Sequence, residues 1–108
     1  MRGWAVFGPA AALLLSLAPS AAAAAPRTYV VVIDKMKFGA VPAGLKAGDT
    51  IVWDNRDLFR HTATAKDGSF NVDLPAGKKG KTRLGEAGAI AFTCKYHPGM
   101  RGVLKVAK

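Results

Sequence analysis

Ala89-Ile90-Ala91-Phe92-Thr93-Cys94, followed by Lys95-Tyr96-His97-Pro98-Gly99-Met100, reads as a strand that runs out into a short loop. Apolar residues alternate along the first part, so Ile90, Phe92 and Cys94 share one face, and that face is the inner one of a half-buried strand. The sulfur of Cys94 is then expected at the end of a buried strand behind Phe92, with His97 and Met100 reaching back from the loop. A thiol, an imidazole and a thioether thus recur at intervals of three residues.

Outward from this segment the chain reads as all-β, with no repeat, low-complexity region or long helical pattern after the N-terminal quarter. Thr28 to Ile33 is rich in Tyr and Val, which suit a pleated, half-buried surface. A short strand is expected within Met36 to Val41, ended by Pro42, and the glycines of Ala43 to Asp49 indicate a turn region. Thr50 to Asp54 follows as a strand with Ile51 and Trp53 on one face, which makes Trp53 a core residue. His61 to Ala65, Ser69 to Leu74, Lys81 to Leu84 and Gly102 to Val106 complete the set, separated by turn signals such as Asp67-Gly68 and Gly85-Glu86-Ala87-Gly88. Seven to eight short strands of this kind predict a two-sheet Greek-key β-sandwich, whose inter-strand loops cluster at its ends.

Such an end can bring His61 to the loop that begins at Cys94. A soft thiolate, two imidazoles and a weak thioether are the donors of a blue-copper electron-transfer centre. The chain holds one cysteine and two histidines, and a site made of His61, Cys94, His97 and Met100 uses all three. Each of these residues taken singly has a plainer reading, as a core thiol, a packing methionine or a structural histidine; their joint spacing gives the signal. Zinc is the rival metal, but it takes four firm donors in a structural site and a thioether is a poor fourth. Haem attachment fails for want of a second cysteine in C-x-x-C-H. No histidine remains for a further catalytic copper centre, and a histidine in a methionine-bearing loop suits metal binding better than Cys-His nucleophilic catalysis. The chain is therefore not expected to be an enzyme.

At 108 residues this is one small domain at most, and its N-terminal quarter reads as something else. Met1-Arg2 precedes an uncharged apolar stretch and an alanine run to Ala25, the pattern of a secretory signal peptide over residues 1–25 with overlapping A-x-A cleavage sites. The domain is then expected over residues 26–108, exported to the periplasm by the general secretory route, since no twin-arginine pair is present, and loaded with metal after export. The alternative is an uncleaved membrane anchor, because the uncharged stretch is long enough to span a bilayer, though Pro9 and Pro19 interrupt it.

Loss of Arg2 would lower the formal charge only from +9 to about +8. Scattered lysines ordinarily serve solubility, but Lys78, Lys79, Lys81 and Arg83 form a cluster, and Lys95 and Arg101 flank the metal loop. A basic face of that kind speeds encounter with an acidic redox partner. Nucleic acid is not expected as a partner, since no binding motif accompanies the charge.

The segment Phe92 to Val103, with the strand after it, resembles the ligand loop of the cupredoxin (blue copper) family. Gly48-Asp49-Thr50-Ile51-Val52-Trp53-Asp54-Asn55, then Asp57 and His61-Thr62, is similar to the strand and loop that bring the first histidine in that family. The two residues on each side of the loop histidine resemble the amicyanin branch; plastocyanins and pseudoazurins have a longer gap before the methionine. The resemblance covers nearly all of residues 26–108. It implies His61, Cys94 and His97 as strong in-plane ligands of one copper ion and Met100 as the weak axial ligand. It also implies that the ring edge of His97 is the electron port, within an apolar patch to which Pro98, Gly99 and Phe59 contribute.

The departures lie beside the ligands. Where amicyanins and plastocyanins place asparagine after the first histidine and serine or threonine after the cysteine, this chain has Thr62 and Lys95. The Thr62 hydroxyl can still donate and accept, whereas the lysine side chain lacks the hydroxyl that would tie the two segments. The expected function is a monomeric, exported type 1 copper protein that carries single electrons between redox partners. The alternative is a periplasmic copper-binding protein for sequestration or delivery, which would surrender its ion readily to an acceptor.

Overall fold

The computed structural model describes residues 25–108; the expected signal peptide, apart from Ala25, lies outside the described residues. Among the described residues nine strands form, in chain order β1 (Thr28–Asp34), β2 (Lys37–Phe38), β3 (Leu45–Lys46), β4 (Thr50–Asn55), β5 (His61–Ala65), β6 (Asn71–Leu74), β7 (Lys79–Arg83), β8 (Gly88–Thr93) and β9 (Arg101–Ala107). They make two sheets, of order β2-β1-β4-β7 and β3-β9-β8-β5-β6. The all-β, two-sheet architecture expected from the alternation is thus observed, with the chain passing repeatedly from one sheet to the other.

The strand count of seven to eight is corrected to nine. Leu45–Lys46 lies in the stretch read as a turn, yet it pairs in parallel with Val106 and Ala107 and buries Leu45 completely. Two residues have no period to read, so only the partner strand reveals this one. The expected strand in Met36 to Val41 shortens to Lys37–Phe38, which returns antiparallel along Ile33 and Asp34.

The turn between β1 and β2 holds another surprise. Lys35 and Met36 both have positive φ, 51° and 62°. Such a turn suits the twist of a two-residue hairpin but ordinarily takes glycine, asparagine or aspartate. Its strain is offset by the Asp57 carboxylate, which accepts the N–H groups of Lys35 at 2.7 Å and Met36 at 3.0 Å.

Between the sheets the alternation of each strand delivers one apolar face. Val31 and Ile33 of β1 and Ile51 and Trp53 of β4 meet Ala63, Leu74, Phe92 and Leu104 of the other sheet, all fully buried. Phe92 is the hub, with ring centroids 4.8 Å from Phe38 and 5.1 Å from Trp53 in edge-on arrangements. Trp53 is buried as expected, and its Nε1 donates to Thr82 Oγ1 at 3.0 Å, so the one polar atom of the indole is satisfied. Gly102 faces Phe92 across the β8–β9 ladder, where a Cβ would stand 2.6 Å from the ring. The ring therefore occupies the space that a side chain at position 102 would fill.

Candidate metal centre

β5 and β8 are antiparallel neighbours, with Thr64 opposite Thr93 and Ala65 opposite Phe92. That register carries His61, the first residue of β5, to the level of the loop that leaves β8, and it decides which distant residues meet. The Cys94 Sγ lies 3.7 Å from His61 Nδ1 and 3.9 Å from His97 Nδ1. All three donor atoms fall within 4.8 Å of one another. An ion bonded at about 2.0–2.1 Å to nitrogen and about 2.3 Å to sulfur allows those two donors to stand up to about 4.3 Å apart, and both Cys94–histidine separations fall within that reach.

Met100 is buried at the base of the same loop. Its N–H donates to the His97 carbonyl at 2.8 Å, and its own carbonyl accepts the Cys94 N–H at 3.1 Å. These two bonds close the loop on itself, so the spacing of three residues becomes a compact turn rather than an open excursion. The structure therefore brings the donor atoms of His61, Cys94 and His97 together and seats Met100 beside them in the chain.

Burial is uneven across the group. His61 and Cys94 are fully enclosed, whereas His97 is half-buried and Lys95, Tyr96, Pro98 and Gly99 around it are exposed. The site thus has a dry side formed by β5 and a side open to the surface through His97.

Sequence reading gave Asp57 no role, although it holds His61 in place. His61 Nε2 donates to Asp57 Oδ2 at 2.7 Å, which leaves Nδ1 as the lone-pair nitrogen facing the sulfur. Burial pushes the Asp57 carboxyl up, but the N–H of Met36, His61 and the N–H of Lys35 together outweigh it and hold the group below the ordinary 3.8. The one carboxylate thereby joins the β1–β2 turn to one of the clustered donor rings. Asn55 organises the same connection: its Nδ2 donates to the carbonyls of Phe59 at 2.8 Å and Leu74 at 2.9 Å, and its Oδ1 accepts the Asp57 N–H at 2.9 Å. In the sequence both stand within the segment that resembles the family's first-histidine strand and loop, a resemblance that gave neither a role of its own.

The tie between ligand segments survives the departures at Thr62 and Lys95 by a different route. The backbone N–H of Lys95, rather than any side chain, donates to Thr62 Oγ1 at 2.9 Å, and the Thr62 N–H donates to Cys94 Sγ at 3.4 Å. A hydrogen bond to a sulfur that is to act as a thiolate disperses its charge.

The fold and donor set define a two-sheet β-sandwich with a histidine–cysteine–histidine metal centre at one end, and that donor set fits a single copper ion. A family model described as a cupredoxin-like domain matches residues 8–106. The amicyanin of Paracoccus versutus is 36% identical over 92 residues, covering 78% of this chain and 69% of the relative. Amicyanin-alpha of Methylorubrum extorquens is 28% identical over 108 residues, covering 94% of this chain and 91% of the relative. Among solved structures, the Paracoccus versutus amicyanin superposes with a TM-score of 0.63 at 30% identity, over 73% of this chain and 80% of that one. The Cu(I) form of a substituted amicyanin gives 0.64 at 30% identity, over 73% and 81%. This chain belongs to the cupredoxin family, and its similarity runs to the amicyanins.

Proposed function

We propose that this protein is an exported, periplasmic electron carrier in which His61, Cys94 and His97, with Met100 as a weaker fourth donor, would hold one type 1 copper ion. When bound, the copper supplies the one-electron couple between Cu(II) and Cu(I). The observation that carries the reading is the cluster of His61, Cys94 and His97 donor atoms on two elements whose register is fixed by sheet pairing. Asp57 keeps His61 in one tautomer and orientation, Thr62 offers its amide to the sulfur, and the closed loop sets the position of His97. A seat held in this way moves little between oxidation states, which favours rapid electron exchange.

Half-buried His97 is the port. Leu58 is 91% exposed, Phe59 59% and Tyr96 55%, and all three belong to the segments that carry the histidines. With Pro98 and Gly99 they supply an apolar contact surface, rimmed by the exposed Lys95 and Arg101. Two of the seven acidic residues, Asp49 and Asp57, turn their carboxylates inward to backbone N–H groups, whereas Asp54 pairs with the exposed Arg56. The partners are redox proteins with an acidic docking surface, met by a monomer, and association weakens as salt rises. No catalytic step, nucleic acid or membrane contact enters this role.

The test is a visible and electron paramagnetic resonance spectrum after addition of Cu(II). An intense blue charge-transfer band with small parallel hyperfine splitting is expected, and Cys94→Ser is expected to abolish both. A protein that stays colourless and retains zinc, or a blue band that survives in Cys94→Ser, refutes the assignment.

A further inference from the structure

Beyond the ligands, one line of hydrogen bonds runs from the metal loop to the edge of its sheet. The Lys95 N–H donates to Thr62 Oγ1 at 2.9 Å, Thr62 Oγ1 lies 2.9 Å from Thr64 Oγ1, and Thr64 Oγ1 donates to Asn71 Oδ1 at 2.9 Å. A hydroxyl has one proton to give. The Thr64 proton is committed to Asn71, so the proton between the two threonines belongs to Thr62, whose lone pairs are left to receive Lys95. The direction of every bond is thereby set, from the loop outward to β6.

Threonine at positions 62 and 64 stands on one side of β5, opposite the side on which His61, Ala63 and Ala65 are buried, because side chains alternate along a strand. Asn71 lies directly across from Thr64 on β6. The relay is thus a product of register, and it converts an exposed edge residue into a support for a buried one. Thr62 itself is 3% exposed. It is gripped at both ends, by its hydroxyl through the relay and by its amide through the bond to Cys94 Sγ.

We infer that Thr64 and Asn71 are positioning residues for the metal loop: the relay they complete fixes Thr62, and with it both the Lys95 amide and the hydrogen bond from the Thr62 amide to the Cys94 sulfur. Hydrogen bonds in a chain polarise and strengthen one another, so loss of the outer acceptor weakens the inner bond. The inference rests on the reading of the site as a blue-copper centre where it concerns reduction potential, but not where it concerns the loop.

The experiment compares Thr64→Val, which keeps shape and removes the hydroxyl, with Thr64→Ser, which keeps the hydroxyl. In the metal-free protein, Thr64→Val is expected to raise the hydrogen-exchange rate of the Lys95 amide by roughly tenfold, the size of one neutral hydrogen bond. In the copper-loaded protein it is expected to lower the reduction potential while the blue band persists, because a donor to sulfur favours the reduced centre, in which the thiolate keeps more charge. Thr64→Ser is expected to restore both, and Asn71→Ala to shift both in the same direction as Thr64→Val. If Thr64→Val and Asn71→Ala leave exchange and potential unchanged while Thr62→Val moves them, the support ends at Thr62 and the inference is overturned. Absence of a blue band in the unsubstituted protein would refute the copper reading instead, and the exchange comparison would still decide the relay.

Discussion

The segment from Asn55 to His61 and the loop from Lys95 to Gly99 supply histidines to the same site, and they are built in opposite ways. The first is threaded with side-chain hydrogen bonds: Asn55 is fully enclosed and ties Phe59, Leu74 and Asp57, while Asp57 ties Lys35, Met36 and His61. The second is exposed at Lys95, Tyr96, Pro98 and Gly99 and is held by its own closing bonds and one amide contact to Thr62. One histidine is fixed by its surroundings, the other by the shortness of its loop. Exposed side chains of the loop are consequently available to a partner without disturbing the seat.

The largest test of this contrast is Asn55→Ala. It leaves the carbonyls of Phe59 and Leu74 and the Asp57 N–H without the partner that the enclosed Asn55 gives them, which is expected to cost about 2–3 kcal/mol in denaturant unfolding of the metal-free protein. A loss no greater than that of an exposed site would show that the seat does not depend on Asn55.

A smaller effect is expected at the other end of the sandwich, where Asp49 repeats the device of Asp57. Asp49 accepts the N–H groups of Arg27 at 2.8 Å and Lys46 at 2.9 Å, and these bonds hold its carboxyl below the ordinary 3.8. A depressed folded value means that the unfolded chain takes up the proton more readily. The contribution of Asp49 is therefore complete above the unfolded value and is lost as pH falls through the folded one. Stability measured from pH 6 downward is expected to decline below about pH 4, and Asp49→Asn to flatten that decline. An unchanged acid limb in Asp49→Asn would show that other carboxylates govern it.

The smallest effect is expected in the loop itself. Tyr96→Ala removes a side chain 55% exposed and is expected to change metal-free stability by no more than about 0.5 kcal/mol, while slowing electron exchange with a partner. A loss comparable to that of Asn55→Ala would abolish the distinction between the two regions.

What the sequence determined on its own is whatever depends on residues close together in the chain. The alternation around Phe92 and Trp53 marked the strands and their buried faces, and the intervals between Cys94, His97 and Met100 marked the loop as a donor group, because strand period and loop length are local properties. The pairing of His61 with that loop was legible only through chemistry and family resemblance. Tertiary structure alone decided the rest. It made Leu45–Lys46 a strand by laying it beside β9, and it gave Lys35 and Met36 a left-handed turn by bringing up a carboxylate 22 residues away. It likewise supplied, through the Lys95 backbone amide, a tie that the lysine side chain was expected to lack. Hydrogen-bond partners so far apart in sequence are chosen by sheet register and by the desolvation of polar groups between the layers, and neither is written in the spacing of neighbouring residues.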